Sequence, residues 1–334
     1  MWRRGGRAVI LLAGVVALIL VIRHVGAATV ASSIRRIGAA FWTIVLLYTL
    51  HTVLRGVTLW QALPPGSIPL SAVIRIRFAA EGIEMLTMTG PFLAEPAKAW
   101  LLHRNGITGP AAFGGVAAEY LLYNLTSAWM AGAALSLLLT RHTLPHAFTA
   151  PAFVIIAVVI ALTAGCAIAG VTNRGLIAPS VRAIAGMFSP RRGEAIAAGL
   201  RDTERVLVSV LHDRPRRLAA ILAVELAGHA LLAFEIAVAL RALGLQATLA
   251  TAFIIEGAVK CVAAMFFFVP GQLGVSEGSY ALLLEAMGLP GAAGVTIVLV
   301  RRARSLAVGG LGFLLFAGGP ARPADDRINP APKC

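Results

Sequence analysis

The chain has 334 residues, of which 58% are hydrophobic and 13% are charged, and the charged share is about half that of a typical soluble domain. A net charge of +14 would suggest nucleic acid in a soluble protein, but no soluble nucleic-acid-reading module is recognisable in the sequence. We therefore expect an integral membrane protein with no nucleic-acid partner, whose arginines lie mainly at the cytoplasmic surface.

Apolar runs close to the length that crosses a bilayer, about 20 residues, predict six full spans. They lie at about 8–23, 39–60, 112–139, 151–171, 218–241 and 291–317. The first run is compatible with a signal peptide, but we favour an uncleaved first helix because further spans follow it. A short interfacial helix at about 27–37 is expected to hold the arginines that follow this span.

The segment 172–217 sets the predicted orientation, because it carries nine arginines against four acidic residues. The positive-inside rule makes it cytoplasmic, and its apolar periodicity predicts an amphipathic linker along the lipid headgroups. Both termini then lie in the cytoplasm. The tail at 320–334 is rich in proline and charge and is predicted to be disordered. Residues 1–319 should form a single integral membrane domain.

Two further segments, 70–104 and 250–289, predict re-entrant helical hairpins rather than simple spans. A backbone break at membrane depth is tolerated only where protein or a water-filled cavity satisfies the polar groups. The predicted breaks are at Gly90, Pro91, Pro270, Gly271 and Gly274.

The two hairpins resemble each other in sequence. The stretch from Glu95 to Gly106 aligns without a gap with the stretch from Glu277 to Gly288. In the flanking helices three charged positions recur with exchanged signs, pairing Arg77 with Glu256, Glu81 with Lys260, and Glu119 with Arg301. Chance agreement in an alanine- and leucine-rich chain is the weaker explanation. We expect an all-α membrane fold in which repeat one, about 39–139, and repeat two, about 218–317, have opposite orientations.

Charged side chains at membrane depth are costly, and they usually face a cavity or each other. The predicted i,i+4 pairs on the hairpins could only neutralise each other locally, but we favour a polar cavity between the repeats. A pair between Glu119 and Arg301 is plausible, and a free guanidinium would suit a lipid phosphate. Glu95 and Glu277 are either acids at helix starts or substrate contacts. The candidate substrate-binding residues are Arg77, Glu81, Glu95, Lys98, Glu119, Glu256, Lys260, Glu277, Arg301 and Arg302.

A catalytic alternative comes from Gly274–Gly278, which formally matches the G-x-S-x-G nucleophile motif around Ser276. That motif needs a strand-to-helix turn and a placed histidine, whereas the predicted context is helical and the nearest histidine candidate, His229, lies on another span. An intramembrane hydrolase is therefore a minor alternative. We expect no catalytic residue, no metal site and no cofactor.

The segment from Thr89 to Leu102 resembles the first signature of the flippase-like family related to the transmembrane region of lysylphosphatidylglycerol synthases. Val269–Ser279 is similar to the second signature, and Arg301 and Arg302 match its basic pair. The first signature is most similar to the branch associated with hopanoid biosynthesis, although Ala94 stands where that branch usually has glycine.

The resemblance implies a translocase in the bacterial inner membrane. Its substrate would be a lipid or lipid-like molecule: a hopanoid, a polyisoprenoid-linked lipid or an anionic phospholipid. A non-transporting scaffold of a lipid-synthesis complex is the main alternative, with lipid-biosynthesis enzymes as candidate partners. The full synthases carry a soluble aminoacyl-transferase domain, which we do not expect here, so we expect no enzyme activity.

Overall fold

The computed structural model describes residues 27–87, 91–141, 146–172, 215–266 and 274–318, together with Val269, Gln272 and scattered positions between 201 and 212. These parts of the chain form ten α-helices, which confirms the all-α prediction. They are α1 Ala27–Ile37, α2 Ala40–Ala62, α3 Leu70–Thr87, α4 Pro91–Arg104, α5 Gly109–Arg141, α6 His146–Thr172, α7 Pro215–Ala242, α8 Leu249–Met265, α9 Val275–Ala286 and α10 Gly291–Gly318.

Within the described part of the chain, three helices are long and apolar enough to cross a membrane. They comprise Ala40–Ala62, Gly109–Thr140 and Pro215–Ala242, and they coincide with three of the six predicted spans. The spans predicted at 151–171 and 291–317 fall within α6 and α10 and stay predictions. The short helix predicted at about 27–37 is present as α1.

Several predicted segments lie outside the described residues. These are the first span, most of the cytoplasmic linker, the tail at 320–334, and the predicted break residues Gly90, Pro270 and Gly271.

Each predicted hairpin contains two helices separated by a break. α3 ends at Thr87 and α4 begins at Pro91, and proline suits a first helical position because its missing N–H has no partner there anyway. Gly274 precedes α9 with a φ of 79°, a conformation that costs glycine little. α4 and α9 have 14 and 12 residues, or about 21 and 18 Å at 1.5 Å per residue. Neither is as long as the hydrocarbon core, roughly 30 Å.

The packing of the first unit, α2–α5, recurs in the second unit, α7–α10. α3 packs on α4 and α8 packs on α9, while α4 packs on α5 and α9 packs on α10. Between the units, α2 packs on α7, and the α3–α10 contact has its counterpart in α8–α5. Exchange of the two units therefore reproduces the same set of helix contacts, as an internal repeat requires. Their opposite orientation in the membrane stays a prediction.

Close helix crossings hold the two units together. A Cβ atom on Gly312 of α10 would lie 2.0 Å from the backbone oxygen of Phe78 in α3. A Cβ atom on Gly257 of α8 would lie 2.2 Å from the Cβ of Ala134 in α5. Membrane helices associate mainly through such packing, because lipid tails are as apolar as the helix surfaces and the hydrophobic effect gives little drive. Glycine at these positions lets the backbones approach and fixes the interface between the units.

Candidate functional site

A polar cavity of about 300 Å³ lies between the two units and is lined by side chains from both of them. The first unit contributes the charged residues Arg55, Arg77, Glu81, Glu84 and Glu95. The second unit contributes Glu256, Lys260, Arg301 and Arg304. Six of the ten candidate substrate-binding residues are in these two sets, so the sequence identified six of the nine charged residues that line the cavity.

Apart from Glu84, the charges that the first unit contributes are held in ion pairs within that unit. Arg55 donates from Nε to Oε1 of Glu119 at 2.8 Å, and its Nη2 also contacts that oxygen. Lys98 is fully buried and bridges two carboxylates, at 2.8 Å from Glu119 and 2.7 Å from Glu95. Glu119 therefore lies behind the cavity wall, with a cation on each of its oxygens.

The i,i+4 pair of α3 is formed as predicted. Arg77 and Glu81 are 2.9 Å apart and both are buried. The hydroxyl of Tyr48 on α2 also donates to Glu81. This pair is therefore part of the cavity wall, where helix α2 helps to fix its position.

The second unit neutralises its own charges in the same way. Arg301 lies 2.8 Å from Glu256 and 3.3 Å from Glu235, and Lys260 lies 3.2 Å from Glu256. Arg304, only 4% exposed, lies 2.9 Å from Glu235. The pair of Glu256 and Lys260 is the second predicted i,i+4 pair, and it too is formed.

The ion pairs of the two units correspond with their signs exchanged. Arg55 of α2 pairs with Glu119 of α5, and Glu235 of α7 pairs with Arg301 of α10. Among the described residues, every ion pair of the cavity region joins two residues of the same unit.

Contacts between the units are of a different kind. Thr58 donates to Glu225 at 2.7 Å, and the ring of His51 lies 3.2 Å from the carbonyl oxygen of Gly228. The guanidinium of Arg304 stacks 3.6 Å above the ring of Tyr48. Hydrogen bonds and ring contacts, rather than ion pairs, therefore join the two halves of the cavity.

The charge balance differs between the first wall of the cavity, which the first unit forms, and the second wall, which the second unit forms. In the second unit three cations, Lys260, Arg301 and Arg304, share only the two carboxylates Glu235 and Glu256. Arg304 also has a buried Nη1 without a hydrogen-bond partner among the described residues. The second unit therefore carries a positive surplus that an anion in the cavity could balance.

Two site expectations need correction. Glu119 and Arg301 do not pair, because each is already held by partners in its own unit. Arg302 and Glu277 do not join the cavity: they lie 2.8 Å apart, and Glu277 also accepts from the backbone N–H of Gly274. The interpretation of Glu277 as an acid at a helix start is therefore confirmed.

The hydrolase arrangement is not assembled around Ser276. Its hydroxyl donates to the side-chain oxygen of Gln272 at 3.4 Å. Nε2 of His229 lies 3.1 Å from the hydroxyl of Thr126, and Nδ1 of this histidine has no partner among the described residues. Where the structure describes the chain, the motif therefore lacks its base.

Sequence analysis missed several residues of the cavity region. Arg55 and Glu235 lie inside two predicted spans, and a charged residue within an otherwise apolar span was the signal that could have identified them. Arg304 lies in the last predicted span but was not among the candidate residues. Glu84 and Glu225 were passed over because neither aligns with an opposite charge in the other repeat.

Comparison with known proteins gives one family. The sequence profile described as lysylphosphatidylglycerol synthase TM region matches residues 7–312, which is most of the 334-residue chain. No curated protein and no solved structure shows a significant match.

Proposed function

The chain belongs to the family of the lysylphosphatidylglycerol synthase transmembrane region, and from that premise we propose that it is a lipid translocase. The observation that carries the proposal is the cavity between the two units, with charged side chains from both. Charges at membrane depth usually face a cavity or each other and mark substrate pathways. A binding site at the interface of two repeats is also the usual arrangement in transporters.

The size of the cavity supports a lipid headgroup as the group that enters. About 300 Å³ is at the small end of the range for ligand pockets, roughly 300–1,000 Å³. A headgroup would fill such a space while the apolar chains stay in the bilayer. A headgroup loses its hydrogen bonds to water when it leaves the membrane surface, and this loss is the main obstacle to lipid movement across a membrane. The charged side chains of the cavity would replace those interactions.

The distribution of ion pairs supports movement of one unit against the other. Breaking a buried ion pair costs about 3–5 kcal/mol, and those of the cavity region lie within units. Sliding or rocking at the interface would exchange hydrogen bonds and ring contacts instead, such as those of Tyr48 and Thr58. Alternating access in repeat transporters follows this scheme.

The positive surplus of the second wall favours an anionic headgroup. Arg304 lines the cavity, and its buried Nη1 has no hydrogen-bond partner among the described residues. Arg301 lines the cavity one turn earlier on α10. A phosphate or carboxylate at this position would receive charge-assisted hydrogen bonds. An anionic phospholipid or a polyisoprenoid-linked phosphate fits this wall, whereas an uncharged hopanoid would not use it.

The experiment compares two arginine variants after reconstitution into vesicles. Arg304→Gln removes the charge from the cavity, and Arg241→Gln removes one from an exposed position at the end of α7. We expect Arg304→Gln to slow movement of an anionic lipid between leaflets at least tenfold, with Arg241→Gln at the wild-type rate. Gel filtration in detergent checks that both variants fold.

Two results would contradict the proposal. If the wild-type protein moves no anionic lipid, no polyisoprenoid phosphate and no hopanoid in vesicles, the translocase function is wrong. If Arg304→Gln folds and moves anionic lipid normally, the function survives but Arg304 is not the headgroup contact.

The scaffold alternative is supported by the ion pairing, since a scaffold needs its charges only to neutralise one another. It does not require a cavity, and it predicts that lipid-biosynthesis enzymes co-purify with the protein while lipid movement is absent. We place the protein in the bacterial inner membrane with both termini in the cytoplasm. Protease protection of tags on the two termini tests that orientation.

A further inference from the structure

We infer that Glu84 is a proton-binding carboxyl of the cavity and that it couples lipid movement to a proton gradient. The inference rests on the proposed translocase function for its transport part, but the proton-binding part stands on the charges around the cavity alone.

The first observation is a charge count in and around the cavity. Six cations face seven carboxyl groups within the described residues. The cations are Arg55, Arg77, Lys98, Lys260, Arg301 and Arg304. The carboxyl groups are Glu81, Glu84, Glu95, Glu119, Glu225, Glu235 and Glu256. An unbalanced charge at membrane depth is costly, so the count alone favours uptake of a proton.

The second observation identifies the carboxyl group that takes up the proton. Five of the seven have a lysine or arginine within ion-pair distance, and the exceptions are Glu84 and Glu225. Glu225 is 1% exposed, is satisfied by Thr58, and does not line the cavity. Glu84 lines the cavity and forms no ion pair with a described residue. It is therefore the unmatched carboxyl that cavity water can reach.

The surroundings of Glu84 disfavour a second negative charge. Glu81 lies one turn earlier on α3, already bound to Arg77 and Tyr48, and like charges in a shared site repel. Across the cavity, α2, α4 and α5 contribute His51, Arg55, Glu95, Tyr120 and Tyr123. α8 and α10 contribute Glu256, Lys260, Arg301 and Arg304. Each of these cations is held by a carboxylate other than Glu84.

Proton movement is coupled to lipid movement if the cavity opens to each side of the membrane in turn. With the cavity open to one side, the Glu84 carboxylate takes a proton from water on that side. With the cavity open to the other side, the carboxylic acid releases the same proton there. When Glu84 is neutral, the charges around the cavity balance and an anionic headgroup can bind at the cations of the second unit. When Glu84 is ionised, its negative charge repels that headgroup and favours its release. One proton and one lipid would then move together.

The first test is infrared spectroscopy of the whole protein in lipid. At neutral pH the wild type should show the carbonyl stretch of a protonated carboxylic acid, shifted in deuterated water. Glu84→Gln should lose this band. Glu285→Gln, which removes an exposed carboxylate at the end of α9, should keep it. An unchanged band in Glu84→Gln would overturn the inference whether or not the protein moves lipid.

The second test measures the leaflet distribution of an anionic lipid at steady state. A pH difference of one unit can support about a tenfold lipid ratio when one proton moves per lipid. We expect such an unequal distribution between the leaflets for the wild type and for Glu285→Gln. Glu84→Gln should lose it, whereas Glu84→Asp should keep it because aspartate is also titratable. Lipid movement without pH-driven asymmetry, or asymmetry that follows a sodium gradient, would overturn the coupling and leave the translocase function standing.

Discussion

Glu119→Gln should be among the most destabilising single charge removals in this protein. Glu119 is 0% exposed and holds both Arg55 and Lys98. Removing one partner of a buried pair costs about 3–5 kcal/mol because the remaining charge stays buried without compensation. Here two cations lose that carboxylate, and Lys98 is itself 0% exposed. We expect the free energy of unfolding to fall by at least the lower figure.

The assay is unfolding of purified protein by titration with a denaturing detergent, followed by helix content. Glu285→Gln is the matched control, since substitution at an exposed site changes stability by about 0.5 kcal/mol or less. Combining Glu119→Gln with Lys98→Met should recover part of the loss, because the second change removes the uncompensated cation. If Glu119→Gln and Glu285→Gln unfold alike, the buried network does not stabilise the fold as we describe.

Further predictions test the interface, the topology and the site. Gly312→Ala should lower the melting temperature, because the added Cβ meets the backbone of α3. Gly310→Ala is the control and should not lower it, since no atom lies within 4 Å of its added Cβ. Equal melting temperatures of the two variants would contradict the close crossing. Cysteine labelling from outside the cell should modify 140–150 and spare 172–217, and the reverse pattern would invert the proposed orientation. Arg301→Lys should keep only part of the lipid-transport rate, because a point charge lacks the fork that holds two carboxylates; a full rate would remove that requirement. An experimental structure should superpose the two units through a near-two-fold axis in the membrane plane, and a parallel relation would reject the inverted repeat.

The predicted hairpins show which features of a membrane protein can be predicted from local sequence. Proline and glycine interrupt helices for reasons that act within a few residues, so the end of α3 and the start of α9 could be placed before any tertiary contact was known. The i,i+4 pair of Arg77 and Glu81 is equally local, since helical spacing brings the two side chains together. The alignment of the two hairpins then indicated that residues of both would meet.

The ion-pair partners of the buried charges could not be predicted from local sequence. The alignment placed Glu119 opposite Arg301, which correctly marked them as equivalent positions, but equivalence is not contact. Each unit brings its own partner to that position, Arg55 in the first and Glu235 in the second. Each partner lies on the helix that precedes its hairpin, far along the chain from the residue with which it pairs. Only the packing of α2 on α5 and of α7 on α10 reveals them.

The sequence by itself determined the membrane-embedded all-α class, the helix breaks and part of the set of buried charges, because all three follow from composition and short-range spacing. The tertiary structure alone decided which charges neutralise each other and which of them border the cavity. It also decided that, among the described residues, Glu84 has no ion-pair partner and the Nη1 of Arg304 has no hydrogen-bond partner. The physical reason is that an ion pair depends on distances of a few ångströms between helices, and helix packing, not the position of a residue in the chain, sets those distances.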